Sequence, residues 1–249
     1  MAGRSSKTEA VVLRSIRLGE ADSVLHLYTL ERGRVGAVAK GVRKTRSRFG
    51  ARLEPLSHAD VVLHRGSGEL ETVTGVQLVR AHHAVREDYY RLSVGLIGAE
   101  AMLRLFSEQE ANERAFHALT RFLDLLDEAS HAADRPGLDP LGLSFQLKLL
   151  WLSGYLPHLT SCAECGAEGA ALVGYSPRAG GAVCRSCAGP AEALALSGEG
   201  IAGVEALLAH PLAEAAPLSL SERARRDALR IVTASYEYHG GFRLRTLSA

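Results

Sequence analysis

Nowhere in the chain is there a run of about 18 or more uncharged apolar residues, the length a membrane-crossing helix needs. The opening stretch MAGRSSKTEAVVLRS meets charge too early for a secretory signal peptide. Both absences lead us to expect a cytoplasmic protein with no membrane role. Cysteine is scarce: Cys162, Cys165, Cys184 and Cys187 are the only four, and they fall within 26 residues. That is too local for disulfides that staple a whole fold, and in a reducing compartment such a cluster points to a metal. Catalytic signatures are missing too. There is no H-E-x-x-H, no G-x-S-x-G and no acidic pattern of a two-metal nuclease. The stretch GAVAKGVRKT has nearly the spacing of a phosphate loop, but Val42 follows Gly41 where a lysine is required. The adjacent His82 and His83 diverge on either a strand or a helix, so they mark a domain junction. A binding protein is expected, not an enzyme.

Net charge is also small, +1 over 249 residues, but it is unevenly placed. Residues 1 to 80 carry 14 Lys/Arg against 8 Asp/Glu, whereas residues 81 to 249 carry 15 against 20. One end of the molecule is suited to a polyanion and the other is not.

From Thr8 to about Arg80 the pattern is β. Five runs rich in Val, Leu and Thr are separated by breaks at Gly19-Glu20, Arg32-Gly33, Arg43 to Gly50 and Gly66-Ser67-Gly68. Five strands in so short a span fit a small closed barrel, either an OB-fold or an SH3-like barrel. After Arg80 apolar residues recur at helical spacing over 86–106, 108–129, 141–155, 197–210 and 220–240. Ser107, Asp139-Pro140 and Ser221 serve as start signals and Gly240-Gly241 as a stop. The expected domains are a barrel over 1–80 and a helical bundle over 81–249, with a cysteine module inserted at 160–190.

CAEC and CRSC are two CxxC pairs separated by 18 residues, within the spacing of zinc ribbons and knuckles. Four thiolates close a tetrahedral shell and leave no position for water or substrate, so Cys162, Cys165, Cys184 and Cys187 are expected to hold one structural Zn2+. LVGYSPRAGGAVC reads as a hairpin leading into the second pair. His158 is a loop residue, since four thiolates suffice. Arg178 and Arg185 balance Glu164 and Glu168 between 161 and 190, and Tyr175 is the one aromatic there, so the module is not expected to touch DNA.

The basic loop KGVRKTRSRFG spans residues 40 to 50. Between Arg32 and Arg52 there are eight Lys/Arg and no Asp or Glu. A solvated charge run is the plain reading. Against it, a barrel would hold both ends, and arginine beside Phe49 offers phosphate pairing and base stacking together. Arg34, Lys40, Arg43, Lys44, Arg46, Arg48, Phe49 and Arg52 are therefore the candidate DNA contacts. A second cluster, Arg223, Arg225, Arg226 and Arg230, followed by Arg243 and Arg245, would extend a DNA track or solvate a helix face.

The stretch LGEADSVLHLYTLERGRVGAVAKGVRKTRSRFGA, with its G-E-x-D start, G-x-x-x-A-K-G strand and S-R-F-G loop end, resembles the bacterial RecO family of recombination mediators. The four-cysteine insert in a helical second half is similar to that family's zinc-bearing members. The resemblance implies an α+β multidomain fold, an N-terminal OB-fold β-barrel followed by an α-helical bundle carrying a four-cysteine zinc module. It implies binding of single- and double-stranded DNA, strand annealing, and action with RecR to load RecA onto strands coated by the single-stranded DNA-binding protein, in the RecF pathway at the nucleoid. The acidic C-terminal tail of that coating protein would need an arginine-lined groove, with Arg121 or Arg223 as candidates. A protein-interaction adaptor with a zinc-stabilised helical domain and no direct DNA role is the alternative.

Overall fold

The computed structural model describes residues 4–128, 135–189 and 193–247, and most of the alternating apolar residues of the first 80 positions turn to one interior. They lie on β1 (Arg4–Leu18), β2 (Asp22–Thr29), β3 (Gly33–Ala39), β4 (His58–Arg65) and β5 (Glu71–Arg80). Ala10, Val12, Leu25, Leu27, Val35, Ala37, Val61, Leu63 and Val73 fill a common interior, as side chains two apart on a strand share a face. The strands close in the order β1-β2-β3-β5-β4. This five-stranded Greek-key barrel is the OB-fold, which settles the choice that pattern left open. Its closing seam is short and parallel, made by Ala37 with Glu71 and Val38 with Thr72. Beside it the Arg32 guanidinium grips the buried Glu71 carboxylate in two bonds of 2.7 and 3.0 Å.

Phe49 is 1% exposed and sits inside the barrel with Leu53 from the 3₁₀ turn Gly50–Leu53. This corrects its assignment as a candidate DNA contact: a ring in the barrel core has no face to offer a base. Phe49→Ala should destabilise the first unit by about 3–5 kcal/mol. Thermal unfolding checks this, and an unchanged melting temperature would show that the ring contributes nothing to the core.

The chain divides into two compact units, Met1–Asp127 and Glu128–Ala249. The first therefore extends beyond residue 80 to include α1 (His83–Glu87), α2 (Tyr89–Leu105) and α3 (Glu113–Glu128). Phe106 meets Tyr28 edge-on at 5.7 Å, and Phe116 meets His58 at the same distance, so these helices cover one outer side of the barrel. On α3 the buried Ala115, Phe116, Leu119, Phe122, Leu123 and Leu126 form a single stripe. Ser107 does not start α3. Asn112 does, its side chain accepting the N–H of Ala115 at 3.0 Å. The preceding residues run beside β3 instead, where Gln109 N–H donates to Arg34 O. At Gly33, whose φ is +62°, a Cβ would lie 2.0 Å from Glu110 O, so only glycine fits. His82 is buried, with Nδ1 at 2.8 Å from Leu56 O and Nε2 at 3.1 Å from Asp124 Oδ1, while His83 is exposed.

In the second unit α4 (Pro140–Leu152) begins at the expected Asp139-Pro140, with Asp139 accepting from Gly142 N–H at 3.0 Å. It is buried over nearly its whole length. Around it stand α5 (Gly198–Ala209), α6 (Leu212–Ala215) and α7 (Glu222–Gly240). Ser221 caps α7 at its start and Gly241, at φ 66°, ends it. Asp227 of α7 accepts from the backbone and side chain of Ser197, the cap of α5, at 2.9 and 2.8 Å. The cysteine module lies between α4 and α5 as β6 (Leu172–Ser176), β7 (Gly181–Cys184) and β8 (Leu194–Ala195). Tyr175 on β6 ties it to α7 through Ser235 at 2.7 Å.

Candidate nucleic-acid surface and metal centre

The loop after β3 is folded upon itself. Gly41, at φ +68°, turns the chain, and its N–H donates to Asp22 Oδ1 at 2.7 Å. Arg43 N–H donates to Ala21 O at 2.9 Å, Lys44 N–H to Gly41 O at 3.2 Å, and Ser47 N–H to Lys44 O at 2.9 Å. The basic loop is thus pinned to the turn between β1 and β2, a place where OB-folds commonly meet oligonucleotides.

Sorting its cations by partner separates two roles. Arg34 donates to Phe106 O at 2.9 Å and pairs with Glu108, and Arg52 donates to the carbonyls of Phe49, Val76 and Arg48. Both guanidiniums brace the first unit, which corrects their assignment as freely available DNA contacts. Arg43 is half engaged, donating to Gly19 O at 3.1 Å. Arg48 lies over the Phe49 ring at 4.6 Å with its outer side exposed. Lys40, Lys44 and Arg46 are exposed, and their side chains have no hydrogen-bond or ion-pair partner among the described residues. Arg14 and Arg17 stand outside the basic loop, on β1, and both are exposed.

Most of the second basic cluster is exposed but paired within its own unit. Arg226 pairs with Glu222 at 2.6 Å, Arg230 with Asp227 and Ala195 O, and Arg243 with Glu237. Arg223 remains exposed. The second unit also holds a groove of about 630 Å³ whose lining includes Trp151, Leu156, Pro157, Leu159 and Leu208. Neither Arg121 nor Arg223 lines it. Its cation is Lys148, whose Nζ donates to Leu207 O, Leu208 O and His210 O at 3.2, 3.2 and 2.9 Å.

The four cysteine sulfurs converge to within 4.8 Å of one another. Each CxxC pair is wrapped in a tight turn: Gly166 N–H reaches Cys162 O at 2.8 Å, and Ala188 N–H reaches Cys184 O at 2.9 Å. Cys165 and Cys184 Sγ are 3.9 Å apart. That is far beyond a disulfide bond of about 2.05 Å. It matches the edge of a tetrahedron with metal–sulfur bonds of about 2.3 Å, which is about 3.8 Å. Cys184 N–H, foremost among several donors, holds the Cys162 thiol down to about 6. Cys187 is pushed up to about 12, first by its contact with Cys165. Four sulfurs this close favour one thiolate at the expense of the next unless a cation joins them, and the donor set suits a soft tetrahedral metal ion. His158 stands outside this cluster, its Nε2 2.7 Å from Ser161 Oγ. The module's exposed charges neutralise each other, with Arg178 on Glu164 at 3.2 Å.

No described helix is long and apolar enough to cross a membrane. The family model for the recombination protein O N terminal matches residues 1–82, and that for its C terminal matches residues 86–248. A DNA repair protein RecO of Rubrobacter xylanophilus is 40% identical over 236 residues, 92% of this chain and 90% of the relative. Those of Thermobifida fusca and Nocardioides sp. are 39% and 38% identical, each over 94% of this chain and 93% of the relative. An OB-fold with a basic loop, a helical unit with four convergent thiols, and matches along nearly the whole length agree: the chain belongs to the RecO family, and its role lies in DNA repair and recombination.

Proposed function

We propose that the barrel binds single- and double-stranded DNA by its backbone, that the protein anneals complementary strands, and that with RecR it loads RecA onto strands coated by the single-stranded DNA-binding protein. The observation that carries this reading is the ordered ridge of Lys40, Lys44, Arg46 and Arg48 on an OB-fold, cationic and largely without internal partners. Annealing needs no catalytic group. A surface that holds two backbones offsets phosphate repulsion and leaves the base edges free to pair. The reading is therefore of a mediator without a bond-breaking step of its own. We assign the four cysteines a single Zn2+ that shapes the second unit.

Wild-type protein mixed with two complementary labelled strands should speed duplex formation, and this effect should fade steeply as salt rises. A rate equal to that of the strands alone at low salt would overturn the annealing part. Cleavage of either strand on adding magnesium would overturn the non-enzymatic part.

A further inference from the structure

We infer that the hairpin formed by β1 and β2 is a second arm of the DNA surface, in which Arg14 and Arg17 contact the phosphate backbone beside the basic loop. This rests on the proposed DNA reading and extends it to residues outside the loop.

β1 is 15 residues long, but its pairing with β4 ends at Val11, while its pairing with β2 continues to Leu18. A β-bulge at Leu13 marks the change. Within a barrel every second residue of a strand would be buried. Here the five residues Arg14 to Leu18 are all exposed, and with no β4 residue beside them this last third of β1 projects past that partner. An exposed strand edge needs charge to prevent pairing with other chains, and a charge of either sign would serve. The stretch carries only positive ones.

The Arg14 and Arg17 side chains have no hydrogen-bond or ion-pair partner among the described residues. Between and after them stand Ile16 and Leu18, 39% and 44% exposed, which give sugars and bases an apolar surface. Of the carboxylates at the hairpin turn, Asp22 is engaged by Gly41 N–H, and Glu20 lies at the tip. His26, the cross-strand neighbour of Arg14, is held below its ordinary proton affinity first by burial and then by Arg14 and Arg34.

The hairpin and the loop also form one block. Arg43 bonds to both Gly19 O and Ala21 O, and Arg17, Ser23 and Ala39 lie in one cross-strand row that ends beside Lys40. Two strand spacings, about 9–10 Å, separate the Arg17 and Ala39 backbones, and Lys40 follows Ala39 into the loop.

The test is anisotropy of a labelled oligothymidine across a salt series. It compares wild type, Arg14→Gln with Arg17→Gln, and Arg14→Lys with Arg17→Lys, each checked for an unchanged melting temperature. The glutamine pair should lower the log–log salt slope by about 1.4, taking about 0.7 per phosphate contact, and the lysine pair should keep the wild-type slope. A glutamine pair with the wild-type slope, while wild type binds, overturns the hairpin arm alone. A wild type that shows no salt-dependent binding overturns the arm and the DNA reading together.

Discussion

Cys184→Ser is expected to abolish metal binding and to lower the melting temperature of the second unit by at least about 10 °C, while leaving DNA binding intact. Cys184 is buried, its N–H points at Cys162 Sγ at 3.4 Å, and its own sulfur faces Cys165. Losing one of four thiolates opens the shell, and metal affinity in such sites is folding free energy. A ligand present at about 1,000 times its dissociation constant contributes about 4 kcal/mol, and each kcal/mol shifts the melting point of a domain this size by roughly 3–6 °C. The loss should reach the helices, because β6 joins α7 through Tyr175 and Ser235, and Leu196 N–H bonds to Val173 O on the same strand. Metal analysis should give one zinc per wild-type chain and less than about a tenth in the variant. A chelator should reproduce the thermal shift in wild type and do nothing further to the variant. Equal melting temperatures would remove the structural role, and a lost salt slope would place the module in the DNA surface.

Lys40→Ala, Lys44→Ala and Arg46→Ala combined should lower the salt slope on single strands by about 2, at about 0.7 per phosphate, and weaken binding several-fold at low salt. None of the three side chains holds the barrel, so unfolding should be nearly unchanged. Arg34→Ala makes the contrast. It removes the bonds to Phe106 O and Glu108, so it should lower stability while leaving the salt slope in place. Anisotropy and thermal melts on both variants read the two effects separately. If Arg34→Ala takes the slope and the triple variant does not, the sorting of the loop by internal partners is wrong.

Local pattern carried much of this fold. Period-two alternation gave the five strands, the Asp139-Pro140 and Ser221 signals gave the starts of α4 and α7, and the cysteine spacing gave the cluster of four sulfurs without reference to any contact. What escaped were effects of distance along the chain. Arg34 is held by a carbonyl 72 residues away and Arg52 by one 24 residues away, so neither looks different from Lys40 in sequence. Phe49 sits among cations in the sequence and inside the barrel in space, because the 3₁₀ turn that follows it closes over the core. Ser107 has the look of a helix start, but the residues after it run along β3, and only the packing of Glu110 on Gly33 decides that. The exposure of Arg14 to Leu18 beside the largely buried stretch Thr8 to Leu13 likewise depends on where β4 begins.

The contact between Asp22 and Gly41 N–H has a bearing on how the cationic surface works. Positive side chains crowded on a short loop repel one another and, untethered, would sample many arrangements. A carboxylate two strands back fixes the turn from which they radiate, so much of the entropy lost on gripping a polyanion is lost already when the chain folds. The shape of a surface built to attract negative charge is in this way set by a negative charge of its own, and a census of lysines and arginines would overlook the residue that makes them act together.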